Sequence, residues 1–247
     1  MTLLLPTAIG LVALLYASAG HAGATGYIAV MTLLGLPAAT IRPTALALNV
    51  MVATIATVQF ARAGHFRPGL FWPLAVASVP CAFVGGAIPL PTGLLERALA
   101  LVLLATAVRM LVDLRRGPAA GEPSAAAAAS WRPEFLAALG GGVGLLSGLT
   151  GVGGGVFLTP ALVTLAAAPV KSVAAVTAPF ILVNSLAGLA GGLLAGRGVP
   201  AAGVPVIAAA VVGGAIGAHV GAFRLPARAL RLVMACVLVL AGAKLLM

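Results

Sequence analysis

The sequence predicts an all-α polytopic membrane protein built from two repeated helical halves, with glycine-broken helices and eight to ten membrane segments. Three observations predict it. First, 62% of the 247 residues are hydrophobic and only 7% charged, with a mean hydropathy of +1.20. A soluble domain carries roughly a quarter charged residues, so lipid must solvate most of this chain's outside. Second, a glycine tract, Ser147-Gly-Leu-Thr-Gly-Val-Gly-Gly-Gly155, interrupts long apolar sequence. A helix broken inside a bilayer frees backbone N–H and C=O groups that lipid cannot satisfy, so they must face protein, water or a ligand. Third, landmarks recur: Gly26 and Gly154, Arg42 and Lys171, Pro73 and Pro205, and Arg109 and Lys244 are separated by 128, 129, 132 and 135 residues. A spacing that grows smoothly is the mark of a duplication with small insertions. The long runs of Ala, Leu and Val do not alternate as barrel strands do.

Along the chain, residues 1–113 form the first expected membrane repeat, 114–134 a polar linker and 135–247 the second repeat. The first repeat opens with an apolar run over 3–19, a glycine-rich break over 20–26 and a short run over 27–36. Runs over 44–60, 69–90 and 94–112 follow, the second with Pro73, Pro80 and the pair Gly85-Gly86 inside it. Pro118, Pro123, Pro133 and an Ala-rich stretch make the linker a flexible loop. The second repeat runs apolar over 135–147, breaks over 148–155, and continues with runs over 156–168, 172–195 and 201–222 and a last segment ending at Lys244. The N-terminus lacks a basic leader region and reads as a first membrane segment. Cys81 and Cys236 sit in apolar runs and read as small buried hydrophobes.

A formal charge of +10 suits nucleic acid in a soluble protein. Here the arginines stand singly between apolar runs, without a basic stripe or aromatic platform, so nucleic acid is not an expected partner. They report loop orientation instead. With ten spans, ten basic residues fall on the odd-numbered loops against four on the even, which puts both termini outside. With eight spans the split is six against eight and decides nothing. An odd number of crossings per half inverts the repeats, the arrangement that supplies alternating access, and this is the preferred reading.

The candidate site lies at the two breaks. Gly20, Gly23 and Gly26 in the first, and Gly148, Gly151, Gly153, Gly154 and Gly155 in the second, either open the helix toward an anion or allow close helix packing. His21 can donate to an anion or carry a proton, or it is an interfacial histidine. His65 reads as a solvated loop residue, and His219 lies late in an apolar run. Arg42 and Lys171, at matched helix starts, either attract an anion or snorkel. Asn49 and Asn184 lie within membrane runs, where a buried amide needs a ligand or an interhelical partner. Thr44, Thr159 and Thr177 either add hydroxyls to the site or bond their own helix backbone, the commoner arrangement. None of Glu96, Asp113, Glu122 and Glu134 falls mid-span, which disfavours a carboxylate proton relay or cation site. No phosphate-binding loop and no metal-ligand cluster is present in the sequence, so no cofactor is expected.

At Gly148-Leu-Thr-Gly-Val-Gly-Gly-Gly155, followed by Pro160, Lys171 and Asn184, the chain resembles the sulfite exporter TauE/SafE family. That family's hallmark is a G-x-x-G-x-G-G-G tract closing its opening membrane segment. The first half departs from it, reading Gly23-Ala-Thr-Gly26-Tyr27 with His21 inside the break. The resemblance spans the chain and implies a permease of the cell membrane for sulfite, a sulfonate or another small inorganic or organic anion. Proton coupling is a further expectation, resting on His21. An anion channel and a non-transporting accessory subunit are the alternatives; an enzyme is not expected. Oligomeric state is not legible in the sequence.

Overall fold

The computed structural model describes residues 3–88, 103–104, 107–108, 110–112 and 131–246. Most of the expected run over 94–112, the landmark Arg109 and nearly all of the linker lie outside the described residues. The described chain forms α1 (Leu4–Ser18), α2 (Ala24–Leu33), α3 (Ala38–Arg62), α4 (Pro68–Ala87), α5 (Pro133–Thr150), α6 (Gly155–Thr164), α7 (Val170–Leu194), α8 (Val204–His219) and α9 (Ala227–Leu246). A π-helical turn, Val220–Arg224, continues α8. The stretches α3, α4, α7 and α8 with its π turn are long and apolar enough to cross a bilayer; α1, α2 and α6 are shorter.

The described helices α1–α4 match α5–α8 one for one, in a register that corrects the landmark spacing. The left-handed glycines Gly20 and Gly23 correspond to Gly151 and Gly154, 131 residues on. The caps Pro37 and Pro169 and the left-handed Gly64 and Gly196 are 132 residues apart. Gly26 is therefore not the counterpart of Gly154. It lies inside α2, where a side chain would collide with Val12. Arg42 likewise corresponds to Ala174, and Lys171 to Ala39. Glycine content alone had suggested the wrong pairs, because many glycines here serve packing.

The halves are inverted. α3 and α7 are counterparts, yet Asn49 meets Ser185 while Thr44, nearer the start of α3, meets Ala201 beyond the end of α7. Counterparts that run antiparallel are related by a pseudo-two-fold axis lying across them. One face of the molecule therefore gathers the starts of α1, α3 and α8 with the ends of α4, α5 and α7. It carries Arg42 and Arg197. The opposite face carries Arg62, Arg67, Arg132, Lys171, Arg224 and Arg228.

Two glycine seams clamp the halves together. On α8, side chains at Gly213, Gly217 and Gly221 would strike the carbonyls of Gly10, Leu14 and Ser18 on α1. On α5, side chains at Gly140, Gly144 and Gly148 would strike those of Leu74, Ser78 and Ala82 on α4. The seams are pseudo-symmetric, but the glycines have changed partner. In lipid no hydrophobic force drives helices together, so close backbone approach through small residues does much of the work. Replacing Gly217 by alanine gains about 1 kcal/mol of helix propensity. It also forces two backbones apart, at a cost of about 1–3 kcal/mol. The expected net result is a lower thermal midpoint in detergent, whereas Gly142, with open space around it, should tolerate alanine.

Candidate functional site

The second break is shorter than the sequence suggested. α5 continues through Gly148 to Thr150, and the turn consists of Gly151, Val152, Gly153 and Gly154. Three of these hold φ of 72°, 82° and 82°, the left-handed region that glycine alone enters without cost. Gly155 then starts α6. The N-terminus of α6 has no side-chain cap, and the N–H groups of Gly154, Gly155 and Val156 have no acceptor among the described residues. Every residue from Ser147 to Pro160 is buried. A buried, uncapped helix start presents free donors and a positive dipole end to whatever enters beside it.

Polar side chains converge on this turn. Asn49 Nδ2 donates to Val152 O and to Ser185 Oγ, both at 3.3 Å, while its Oδ1 is buried without a partner among the described residues. Ser147 Oγ is buried and unpartnered too, and lies 3.3 Å from where a Cβ on Gly154 would stand. Asn184 Nδ2 donates to Ser78 Oγ at 3.1 Å and to Phe180 O at 2.8 Å, leaving its Oδ1 unpartnered. Buried polar atoms in this state are exceptional in a finished structure.

A cavity of about 300 Å³ reaches the turn from the face of Arg42 and Arg197. Gly151 lies at its inner end, Leu46 and Leu189 supply apolar wall, and Gly148, Gly188 and Gly192 leave the space open. Arg42 Nη1 donates to Leu149 O at 3.4 Å and Arg197 Nη1 to Gly86 O at 3.2 Å. Among the described residues neither guanidinium has a carboxylate partner. The one described acid, Glu134, lies on the other face, 3.4 Å from Arg132. A recess with two guanidiniums in low-dielectric walls concentrates anions.

The first break is closed. Tyr27 Oη donates to Ala22 O at 2.5 Å. His21 Nδ1 lies 3.1 Å from Ala19 O and its Nε2 3.0 Å from Thr159 Oγ1, with Thr177 Oγ1 3.3 Å beyond. A carbonyl only accepts, so Nδ1 carries the hydrogen and, in the neutral ring, Nε2 accepts from Thr159. His21 thus stitches the first break to α6 and α7 of the second half. A Cβ on Gly20 would stand 2.6 Å from Ala174 O.

The structure therefore brings Arg42, Asn49, Gly151, Gly153, Gly154 and Gly155 together, while Asn184 bonds to Ser78 and to Phe180, whose ring borders Gly154. Gly148 lines the cavity but is also a seam residue. Gly20, Gly23 and His21 belong to the closed break, Gly26 packs within the first half, and Lys171 lies on the far face. Ser147, Ser185 and Arg197 were missed. Ser147 opens the very tract singled out, and Arg197 stands in a glycine turn at the end of α7, but nothing in one sequence says that turn folds over a cavity. His65 is half-buried rather than freely solvated. Burial, then the cations Lys171 and Arg67, hold its imidazole below the ordinary histidine value. It should be neutral at pH 7 and protonate only in more acid solution. Lys171→Gln is expected to move its NMR titration midpoint upward, toward the ordinary value.

Apolar crossing helices in inverted halves, with a cavity flanked by two arginines reaching a glycine turn at the junction, define the transporter class of membrane protein. The family model described as "Sulfite exporter TauE/SafE" matches residues 5–245, and the chain belongs to that family. It is a multi-pass protein of the cell membrane. It is 37% identical over 244 residues to "Probable membrane transporter protein y4hK" of Sinorhizobium fredii (strain NBRC 101917 / NGR234), an alignment covering 98% of this chain and 97% of that one. No solved structure matches it.

Proposed function

We propose that this protein is a secondary carrier, not an enzyme, for a small oxyanion of the sulfite or organosulfonate kind. The observation that carries this reading is the 300 Å³ cavity, which joins two guanidiniums without a carboxylate partner among the described residues to Gly151, the first residue of the turn before a buried, uncapped helix start. An anion arriving there meets the N–H groups of Gly154 and Gly155, the hydroxyl of Ser147 and the amide of Asn49, while α6 presents its positive end. The excess of basic residues on the opposite face supports placing that face in the cytoplasm, so the cavity opens outward in this conformation. Relative movement of elements drawn from the repeats 1–113 and 135–247, which the linker 114–134 joins in sequence, would expose the anion to alternate sides.

Coupling to protons is assigned to His21. A proton on Nε2 turns its bond with Thr159 around, and that bond joins the two halves, so protonation biases how they sit together. The test is flux by purified protein in liposomes, offering sulfite, sulfoacetate, taurine and sulfate under an imposed pH gradient. Saturable flux stimulated by counter-flow supports a carrier. Flux without saturation or counter-flow points to a channel, and no flux of any anion to an accessory subunit or a different substrate. His21→Ala is expected to flatten the pH profile of uptake; an unchanged profile removes His21 from coupling.

A further inference from the structure

The pseudo-two-fold axis relates the open cavity to a second mouth on the opposite face. His65 is the counterpart of Arg197: its N–H bonds to Phe60 O at 3.4 Å as that of Arg197 bonds to Gly192 O at 2.9 Å. Each follows a left-handed glycine, Gly64 or Gly196. Around the open mouth, Gly192 and Gly188 leave room. Their counterparts are Phe60 and Ala56, both wholly buried. Gly151 faces the Arg42 side chain, its would-be Cβ 3.3 Å away, whereas the counterpart Gly20 abuts the backbone of Ala174. The second mouth has the same scaffold as the first, but it is filled.

Its rim is cationic like the first. Lys171 occupies the counterpart of the cavity-lining Ala39, and both Lys171 and Arg67 act electrostatically on His65. Among the described residues Arg67 Nε is buried without a partner, as is Thr57 Oγ1, the counterpart of the wall residue Leu189. We propose that His65, Arg67 and Lys171 form a second station for a small oxyanion at this shut mouth, serving there as Arg42 and Arg197 serve at the open one, and that displacement of Phe60 opens it. The inference rests on the carrier reading, since a second mouth serves only a protein that passes its ligand through. Orientation by positive loops also explains cations on this face, but it does not explain a plugged copy of the cavity behind them.

The test is thiol accessibility in liposomes, which needs no knowledge of the substrate. With Cys81 and Cys236 replaced by serine, a cysteine is placed at Ala178, the buried counterpart of the cavity residue Leu46. Anionic and cationic methanethiosulfonates are then applied from the cation-rich side. Little labelling is expected while Phe60 is present. Phe60→Gly should raise the rate roughly tenfold or more, with the anionic reagent faster by roughly tenfold; Phe60→Leu should fall between. Adding Lys171→Gln and Arg67→Gln, which remove the charges of the station, should bring the two reagents toward equal rates. A parallel Leu46→Cys protein, labelled from the other side, reports that each variant keeps the fold. If Ala178→Cys gains no labelling while Leu46→Cys is unaffected, or if both reagents react equally in Phe60→Gly, the second station is refuted. Intact labelling with no anion flux would instead count against the carrier reading alone.

Discussion

Gly153→Ala is expected to lower anion flux by at least roughly tenfold while the protein still inserts and purifies. The residue stands at φ 82°, where an L side chain costs about 1–2 kcal/mol. The added Cβ would also fall on Asn49 Nδ2 and within 2.7 Å of Ser185 Oγ. The backbone must then leave its left-handed conformation or Asn49 must give up the hold on Val152 O that shapes the turn. Either response turns the N–H groups at the start of α6 away from the ligand. Retained purification with lost flux would separate this from the seam glycines, where the same substitution acts on stability. Gly154→Leu is the harsher version, since Phe180 and Ser147 already lie 3.0 and 3.1 Å from its would-be Cβ. Undiminished transport by either variant would remove the turn from the site.

Arg42→Gln and Arg197→Gln are each expected to raise the KM for a transported anion by roughly tenfold, about 1.4 kcal/mol, with a smaller effect on the maximal rate. Each guanidinium spends a single long hydrogen bond on a backbone carbonyl, Leu149 O or Gly86 O, so most of its donors remain for a ligand. Because the cavity is open to solvent, part of the attraction is long-range and should weaken as ionic strength rises. The double variant should lose most of that salt dependence. Arg42→Lys should restore charge attraction without the planar fork, recovering the salt dependence better than the affinity. An unchanged KM in both single variants would show that the cavity is not the entry route.

Much of the architecture was legible before any coordinates. A chain with 7% charged residues cannot face water, glycine cannot continue a helix in lipid without a reason, and landmarks recurring in two halves imply a repeat. Asn49 stood out for a similar reason, because an amide in an apolar run must be answered by something. The register of the repeat was less legible. Glycines at Gly26 and Gly148 look like part of a break in a string of letters, yet both sit in helices where a partner helix leaves no room for a side chain. A seam glycine and a turn glycine are the same residue type, and only the neighbouring backbone tells them apart.

By itself, then, the sequence determined the solvent of this protein, its helical class, its duplication and the stretch where its backbone had to break, since each follows from hydropathy and backbone hydrogen bonding along the chain. The tertiary structure decided which glycines turn and which pack, and that Arg197 from the end of α7 reaches the same cavity as Arg42. It also decided that the first break is shut by His21, Tyr27 and Ala174 while the second lies open, and that Phe60 fills the space its counterpart Gly192 leaves. Apart from the local bond of Tyr27 to Ala22 and the packing of Gly26 on Val12, these are contacts between residues far apart in the chain, produced by folding an inverted copy against its original. No local pattern encodes them, because each depends on what the other half places opposite.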